Sequence, residues 1–382
     1  MKRIIPILFL IAFASCGEKG SSETTEAINI LEDLTYTVDT VVVDSGEDFL
    51  SIQNEFQLES SSSISEDKRL FYLFNNENHT IAVVDLDQLR LLEFLSFEKE
   101  GPNGVGQYVQ GIQALADQKF LISNFQASGI FDSKGNKLEN YKLEAAEFEG
   151  LNITSPFSSQ LLMTSDGKSL FSLTGFYNQG AKDLARLDPN QKTGEVIDLP
   201  ELDIANDFSI NLQSKDGTMT SVPQSIIQDI NGKLYVTNEV TSSVYRYDYK
   251  ADSLELLTFL HQLVPSAKSG SLKNKVSSRD ELFAEMEKST TQTGFKKLLW
   301  DETRQRFFRL GSKIIPSTIE GDDSYKSDVY LFIYDADLHL LGEKLLENLS
   351  VYPRFYFLKD GKLWSYVNVE DELGFAVFTF NF

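Results

Sequence analysis

The one cysteine of this chain, Cys16, stands where a thiol could become the attachment point of a lipid. It follows the basic start Met1-Lys2-Arg3 and an apolar run from Ile4 to Phe13, which is the order of a secretory signal and too short for a membrane-spanning helix. Phe13-Ala14-Ser15-Cys16 resembles the bacterial lipobox, with Phe13 in place of the usual leucine. We therefore predict a lipoprotein signal peptide over residues 1–15, lipidation of Cys16 and a flexible tether over residues 16–33. In the alternative interpretation Cys16 is an ordinary residue of a discarded signal.

Few other residues have the spacing that catalysis or metal binding needs. The three histidines lie far apart in the sequence: His79, His261 and His339. Since neither a His-x-x-x-His motif nor a cysteine pair is present, we predict no metal site. We also predict no cofactor, because Gly101 to Gly106 lacks the Gly-Lys-Ser/Thr of a phosphate-binding loop and Gly-x-Ser-x-Gly is absent. Glu320-Gly321-Asp322-Asp323 lacks the regular alternation of oxygen ligands found in Ca²⁺ loops.

The charge of the chain limits its partners. It has 57 acidic and 35 basic residues and a net charge of −22, or 33 − 57 = −24 once Lys2 and Arg3 leave with the signal. Such a field repels phosphate backbones, so we predict no nucleic-acid partner. Basic residues are nevertheless concentrated in the segment 260–294: Lys268, Lys273, Lys275, Arg279 and Lys288. This concentration, which Arg309 and Lys313 could join, predicts a site for a carboxylate, a sulfate or an acidic glycan; solvated lysines on a loop are the alternative.

The elements that position these residues form a sixfold repeat. Six tight polar turns each open a hydrophobic strand: Glu66-Asp67-Lys68, Asp117-Gln118-Lys119, Asp166-Gly167-Lys168, Asn231-Gly232-Lys233, Asp301-Glu302-Thr303 and Asp360-Gly361-Lys362. Six pairs ending in Asp or Asn each close the following strand: Val84-Asp85, Phe131-Asp132, Leu187-Asp188, Tyr247-Asp248, Tyr334-Asp335 and Phe380-Asn381. Repeats of this size, built from short strands, are typical of β-propellers. We predict an all-β, six-bladed β-propeller over residues 34–382, with a short helical insertion at 260–294.

The predicted blades leave one strand to be supplied from elsewhere. Their ranges are 54–97, 107–143, 157–199, 222–259, 295–346, and 353–382 with 35–43. The sixth unit is one strand short, and the segment from Thr35 to Val43 is rich in β-branched residues. We predict that this N-terminal strand completes the last blade, which removes an open sheet edge. An additional strand of a sandwich is the alternative.

Long connections predict which face of the molecule is functional. We assign these connections to one face of the predicted disc-shaped propeller: 98–106, 144–156, 175–182, 200–221, 260–294 and 312–327. Loops on a rigid scaffold carry binding groups, although neutral insertions are the alternative. Ser278-Arg279-Asp280-Glu281 is a capping box, and Leu282, Phe283 and Met286 follow at helix spacing, so we expect one amphipathic helix over this face. The candidate ligand- or partner-binding residues are Gln107, Gln224, Lys273, Lys275, Lys296, Arg309 and Arg354.

Several stretches also resemble a known family. They are Phe74-Asn75, His79, the run from Val84 to Leu89 and the run from Phe97 to Gly106. These segments are similar to lipoproteins of Bacteroidota envelopes grouped as domain of unknown function 4221, and the resemblance covers essentially the mature chain. It implies a six-bladed, TolB-like propeller in the cell envelope. The family has no established activity, so the resemblance implies no catalytic residue.

These observations favour a non-catalytic protein of the cell envelope, anchored by lipid to the outer membrane on its periplasmic or surface side. We predict that its long-loop face binds a protein, a peptide or a glycan. The alternative is a propeller hydrolase or lyase that uses carboxylates on an extracytoplasmic glycan or peptide, because with 57 acidic residues a suitably spaced pair stays possible. A structural or signalling module paired with a membrane protein is a third possibility.

Overall fold

The structure, a computed structural model, describes residues 29–48, 50, 52, 58–124, 128–151, 153, 155–215, 217–316 and 326–382. The predicted signal peptide, Cys16, most of the tether and the acidic run at 320–323 lie outside the described residues. Across the ranges just given, no helix has the length and apolar character needed to cross a membrane.

Six antiparallel sheets of four strands account for most of the described chain. The chain begins with β1 (Thr35–Val42) and a helical turn, α1 (Leu58–Ser61). Sheet 1 consists of β2 (Ser62–Ile64), β3 (Leu70–Asn75), β4 (Thr80–Asp85) and β5 (Arg90–Ser96). Sheet 2 consists of β6 (Gly111–Leu115), β7 (Lys119–Ser123), β8 (Ser128–Phe131) and β9 (Lys137–Tyr141). Sheet 3 consists of β10 (Phe157–Met163), β11 (Leu170–Thr174), β12 (Leu184–Asp188) and β13 (Thr193–Ile197).

The second half of the chain repeats this pattern around two additional segments. A 3₁₀ helix (Pro200–Phe208) leads into a hairpin of β14 (Ile210–Ser214) and β15 (Gly217–Ser221). Sheet 4 consists of β16 (Ser225–Ile230), β17 (Lys233–Asn238), β18 (Thr241–Asp248) and β19 (Ser253–Leu257), and is followed by β20 (Lys275–Val276) and α2 (Arg279–Thr290). Sheet 5 consists of β21 (Gly294–Asp301), β22 (Arg306–Ile315), β23 (Lys326–Tyr334) and β24 (Leu340–Leu345). Sheet 6 consists of β25 (Arg354–Lys359), β26 (Lys362–Val369), β27 (Glu372–Asn381) and β1.

This arrangement confirms the predicted all-β fold of antiparallel sheets. The predicted loop at 312–327 is shorter than expected, because β22 runs to Ile315 and β23 begins at Lys326. Within the first predicted blade, 54–97, the first described strand begins at Ser62, directly after α1.

The repeated aspartates have a structural purpose. Asp132 Oδ1 accepts hydrogen bonds from the backbone N–H groups of Lys134 and Asn136, at 2.9 and 2.8 Å. The same carboxylate-to-backbone pattern recurs at the other closing aspartates: Asp85, Asp188, Asp248 and Asp335. An Asp in this place satisfies N–H groups that a tight turn leaves without a backbone partner. Five of the six units therefore share a similar turn between their third and fourth strands, and in sheet 6 the fourth strand is β1.

The core lies between sheets. Among the described residues, five hydrophobic clusters each combine two sheets that follow one another in the chain, and a sixth cluster combines sheets 6 and 1. In the cluster of sheets 6 and 1, the rings of Phe71 and Phe375 are 5.9 Å apart and nearly perpendicular, a favourable arrangement for aromatic pairs. Middle strands such as β3 are buried along most of their length, since a neighbouring sheet covers each of their faces.

The predicted pairing of the N-terminal strand with the last strand is present. β1 runs antiparallel to β27 in unbroken register, from Thr35 opposite Asn381 to Val42 opposite Gly374. The Tyr36 hydroxyl donates a 2.7 Å hydrogen bond to the carbonyl of Glu347, and its ring packs on Phe380 at 5.9 Å. Sheet 6 is therefore assembled from both ends of the described chain.

Short turns contact other short turns, and three of the long connections contact one another. Several of the short turns contact one another, as Lys68 does with Glu302 (3.0 Å) and Arg304 with the carbonyl of Gly361 (2.7 Å). The long connections likewise contact one another: Asn206 Oδ1 accepts from the backbone of Gly180, and the Asn274 side chain donates to the carbonyl of Asn206. These contacts place the segments 175–182, 200–221 and 260–294 together.

The segments 200–221 and 260–294 form one compact unit. β14 pairs with β15 on one side and, in parallel, with β20 on the other, and α2 packs on β14. Leu282 and Met286 of α2 join the cluster around Phe208 and Leu212. Ser278 caps the predicted helix by accepting from the Glu281 N–H at 3.2 Å. Two details were not predicted: residues 200–221 are a 3₁₀ helix and a hairpin rather than a loop, and Phe283 is 58% exposed because it points away from the cluster.

Candidate functional site

A cavity of about 340 Å³ lies beneath the compact unit of segments 200–221 and 260–294. Its roof is supplied by the 3₁₀ helix, β14, β15 and α2, through residues such as Phe208, Ile210 and Met286. Its floor is supplied by the strand ends and connections of sheets 4, 5 and 6, through residues such as Ser312, Tyr352 and Arg354. The volume falls within the range of ordinary ligand pockets, which is roughly 300–1,000 Å³.

Among the residues that the structure describes, three cationic side chains and one carboxylate line this cavity: Lys268, Lys296, Arg354 and Glu239. Lys268 is only 8% exposed, and its Nζ donates a 2.9 Å hydrogen bond to Ser289 Oγ of α2. No acidic group is within ion-pair distance of Lys268 in the described part of the chain. These three positive groups contrast with the net charge of −22 for the whole chain.

Lys296 is placed by an irregularity in its strand. The pairing of β21 with β22 shifts between Phe295 and Leu298, so Lys296 lies in a bulge. Its Nζ is 3.4 Å from Glu239 Oε2 and 5.1 Å from the centre of the Tyr352 ring. The carboxylate and the aromatic face together hold the ammonium group at the cavity wall. Of the two lysines, Lys268 is therefore the one whose charge is least compensated by the protein.

Burial tunes the charge of Lys268. Removal from water lowers the pKa of its amino group; the nearby carboxylate of Glu239 acts in the opposite direction, and the positive charge of Lys296 adds to the lowering. An anion bound in the cavity would stabilise the charged form of Lys268. Binding of an anion and protonation of this lysine are therefore coupled.

Arg309 supports the cavity wall from inside. Its side chain is 0% exposed, its Nε donates 2.7 Å to the carbonyl of Lys296, and its Nη1 donates to the carbonyl of Ser242. The guanidinium also lies 5.2 Å from the centre of the Phe295 ring. The structure thus places this predicted binding residue behind Lys296 rather than at the surface of the cavity.

The structure separates the predicted basic cluster. Lys268 enters the cavity, whereas Lys273 pairs with Glu281 at 3.0 Å and Lys288 with Glu285 at 2.7 Å on the outside of α2. Lys275 is an exposed residue of β20, and Lys313 pairs with Asp328 at 3.3 Å. Of this predicted cluster, Lys268 is therefore the member that lines the cavity.

Two other predicted binding residues, Gln224 and Gln107, lie shortly before the first strands of sheets 4 and 2 and do not line the cavity. Gln224 is exposed directly after Pro223, which does line the cavity, and its carbonyl accepts from the Glu239 N–H at 3.2 Å. Gln107 is exposed in the connection before sheet 2. Of the seven predicted binding residues, Lys296 and Arg354 are the two that the cavity brings together.

Sequence reasoning missed Glu239, Ser289 and Tyr352. Glu239 directly follows Asn238, the last residue of β17, so its place at the end of a second strand was a usable signal. Ser289 lies in the last turn of a helix and Tyr352 in a connection, where the sequence has no comparable signal.

The chemistry that this lining supports is recognition of an anion. Ammonium and guanidinium groups bind carboxylates and sulfates through charge-assisted hydrogen bonds, and Ser289 and Gln292 add neutral polar groups. Within the described residues, no group of three or more His, Cys, Asp and Glu side chains is placed to hold a metal ion.

The sequence matches a known protein family, and the fold matches solved structures. Residues 27–345 match the model of the family described as domain of unknown function (DUF4221). A crystal structure of a DUF4221 family member from Bacteroides vulgatus matches with a TM-score of 0.64 and 14% identity, covering 91% of this chain and 98% of that one. A protein of Bacteroides fragilis described as exported matches with a TM-score of 0.50 and 8% identity, covering 93% of this chain and 97% of that one. At these identities the likeness concerns the fold. No protein with a curated description matches the sequence significantly.

Proposed function

The chain belongs to the DUF4221 family, and from that premise we propose that it is a lipid-anchored protein of the cell envelope that binds an anionic ligand without transforming it. The observation that carries the proposal is the cavity that Lys268, Lys296 and Arg354 line, with Glu239 as the one carboxylate among its described residues. A strongly acidic protein has no structural need to direct several cations into one space. Their convergence is accounted for by a ligand that brings negative charge.

We propose the same architecture that the repeat predicts, a six-bladed propeller with sheets 1 to 6 as its blades. Two findings support it: consecutive sheets share hydrophobic clusters, and the sixth cluster joins sheet 6 to sheet 1. A cyclic succession of packed four-stranded sheets is the organisation of a propeller. An experimental structure with the six sheets stacked in two layers would contradict this assignment.

The catalytic alternative has less support. Cleavage of a glycosidic bond usually needs two carboxyl groups facing the substrate. Glu239 is the one carboxylate among the described residues that line the cavity, and its partner Lys296 holds it at 3.4 Å. Lys268, Lys296 and Arg354 instead favour retention of a negatively charged group.

Binding can be tested with defined anions on the soluble form that begins at residue 29. We expect isothermal titration with tetragalacturonate, or with peptides carrying carboxylates, to detect binding that weakens as salt rises. The substitution Lys268→Met removes the positive charge and keeps the approximate length of the side chain. It is expected to weaken binding about tenfold, because one buried charge-assisted hydrogen bond is lost. Binding should also weaken at alkaline pH, where Lys268 loses its proton at a lower pH than an ordinary lysine.

The matched control for this experiment is Lys273→Ala. Lys273 is a basic residue of the same segment, but it pairs with Glu281 on the outside of α2. Binding should change less than about twofold in this variant, since an exposed ion pair contributes little. Equal losses in the two variants, or no effect of either, would contradict the proposed cavity site.

Anchoring has its own test. We propose that Cys16 is lipidated and that the acyl chains attach the protein to the outer membrane, on its periplasmic or surface side. The match to a fold found in a Bacteroides protein described as exported supports this location. Cells fed an alkyne-labelled fatty acid should label the wild type, and Cys16→Ser should lose the label and appear in the soluble fraction. Retained label in Cys16→Ser would refute lipidation at this residue.

A further inference from the structure

The strand β15 at the rim of the cavity is an unprotected sheet edge. Among the described residues it pairs with β14 alone, so its other side offers backbone N–H and C=O groups. Proteins usually protect such edges with charged residues or proline, because an open edge recruits another strand. β15 has the sequence Gly-Thr-Met-Thr-Ser, with neither charge nor proline.

The other outward-facing edges of the molecule differ in this respect. Each outermost strand of the six sheets carries at least one charged residue: Asp39 in β1, Arg90 and Glu93 in β5, Lys137 and Glu139 in β9, Glu195 in β13, Glu255 in β19, and Glu343 and Lys344 in β24. The charged residues therefore disfavour the addition of a further strand at the outer edges of the six sheets. β15 carries no such charge.

The register of the hairpin shows which groups of β15 are offered. The N–H of Asn211 in β14 donates 2.8 Å to the carbonyl of Asn274, on the side away from β15. Asn211 lies opposite Thr220, so this pair exchanges no ladder hydrogen bonds and the N–H and C=O of Thr220 point outward. Thr218, two residues earlier, has the same orientation.

The open edge leads directly into the cationic cavity. Ser221, the last residue of β15, lines the cavity, as do Ile210 opposite it and Pro223 just beyond it. A strand added along Thr218 and Thr220 would have one end beside the space that Lys268 and Arg354 line. A carboxylate at that end of the added strand would meet the ammonium group of Lys268, whose hydrogen-bond partner in the described chain is the neutral Ser289.

We propose that the ligand of this cavity is an extended peptide segment of a partner protein, which adds to β15 as a fourth strand and places a carboxylate in the cavity. This inference rests on the proposed anion-binding function and specifies its ligand. The carboxylate belongs to an acidic side chain or, if the added strand runs parallel to β15, to a free C terminus. Main-chain hydrogen bonds supply affinity in such complexes, and a side-chain pocket supplies specificity. A second copy of this chain is disfavoured as the partner by its net charge of −22.

The test is a selection of random twelve-residue peptides with free C termini on the soluble form, followed by anisotropy measurements on the enriched peptides. We expect β-branched peptides that carry a carboxylate near one end. Thr220→Pro should weaken their binding about tenfold or more, because proline removes an outward N–H without removing a ladder bond to β14. Thr220→Val keeps that N–H and should bind within about twofold of the wild type. Lys268→Met should weaken binding about tenfold.

Two further measurements keep the outcomes distinct. If Thr220→Pro unfolds, N-methylation of alternate residues of the peptide tests the same hydrogen bonds on the wild-type protein. Amidation of the C terminus distinguishes a terminal carboxylate from an acidic side chain. Enriched peptides that tolerate both Thr220→Pro and N-methylation, or that ignore Lys268→Met, would overturn the inference. Binding of tetragalacturonate but of no peptide would also overturn it while leaving the anion-binding proposal standing, whereas binding of neither would refute both.

Discussion

Removal of residues 29–43 is expected to abolish cooperative folding of the soluble form. This segment contains β1, whose eight residues pair with β27, and Leu31, which is fully buried in the cluster of sheets 5 and 6. About eight ladder hydrogen bonds at roughly 0.5–1.5 kcal/mol each amount to about 4–12 kcal/mol, before the apolar burial is added. That is the size of the whole free energy of unfolding of an ordinary domain, about 5–15 kcal/mol. The measurement is urea unfolding followed by tryptophan fluorescence.

A synthetic peptide of residues 29–43, added to the shortened protein, should restore the unfolding transition. Two peptide variants form a matched pair, because the Val43 N–H donates to the carbonyl of Leu373 and ladder bonds alternate from there. The N–H of Asp39 therefore points toward β27 and that of Thr40 points away, although both residues are exposed. Asp39→Pro should prevent rescue and Thr40→Pro should largely preserve it. A shortened protein that unfolds cooperatively without the peptide would show that β1 is dispensable.

Replacement of Glu343 by alanine is expected to be the most damaging single substitution. Glu343 in β24 accepts hydrogen bonds from the backbone N–H groups of Gln262 (2.5 Å) and Leu263 (3.1 Å). Its other oxygen is 3.3 Å from Nδ1 of His261, whose side chain is fully buried among aromatic rings that include Phe332 at 4.5 Å. Alanine would remove the acceptor of the buried His261 Nδ1 and of the two backbone N–H groups, at a cost of about 1–3 kcal/mol for each donor that is left unsatisfied. The start of segment 260–294 would lose its attachment, and with it the roof of the cavity.

The same site predicts the direction of a pH effect. Burial raises the pKa of Glu343, but the hydrogen bonds from His261, Gln262 and Leu263 outweigh it and hold the pKa below its usual value. A carboxyl group with a lowered pKa stabilises the folded state above its unfolded pKa, about 4.3, and this contribution is lost as the pH falls through the folded value. The wild type should therefore lose more stability on acidification than Glu343→Ala does.

Chemical denaturation and hydrogen exchange at residues 259–264 would measure these effects. Glu347→Ala is the matched control, since Glu347 is an exposed acid shortly after the same strand, and its loss should cost less than about 0.5 kcal/mol. Glu343→Gln retains one acceptor oxygen, so its free energy of unfolding should lie between those of Glu343→Ala and Glu347→Ala. A Glu343→Ala protein as stable as Glu347→Ala would refute the role assigned to this carboxylate.

The architecture was largely predictable because its signals are local. Each closing aspartate binds backbone N–H groups within a few residues of itself, as Asp132 does, so the requirement is written into every unit. The hairpin of β14 and β15 was not predicted because Asn211, Gln213 and Ser214 are weak strand formers. It is held by the tertiary contact with β20 and α2.

The cavity was only partly predictable because its groups come from distant segments. Glu239, Lys268, Lys296 and Arg354 belong to four different elements or connections, and nothing in their spacing relates them. Arg309 shows the opposite problem. A strand residue of its type is usually exposed, and its burial depends on backbone carbonyls of Lys296 and Ser242 that only the folded chain brings near it.

The pairing of β1 with β27 also constrains when the molecule can mature. Of the described strands, β1 leaves the ribosome first and β27 last, and Thr35 waits for Asn381 to be translated. Sheets 1 to 5 can form in order during synthesis. The apolar faces that sheet 6 covers, which include Phe71 and Leu331, stay exposed to water until sheet 6 is complete. The nascent polypeptide therefore keeps one seam between sheets 5 and 1 open until β27 has been made and can pair with β1.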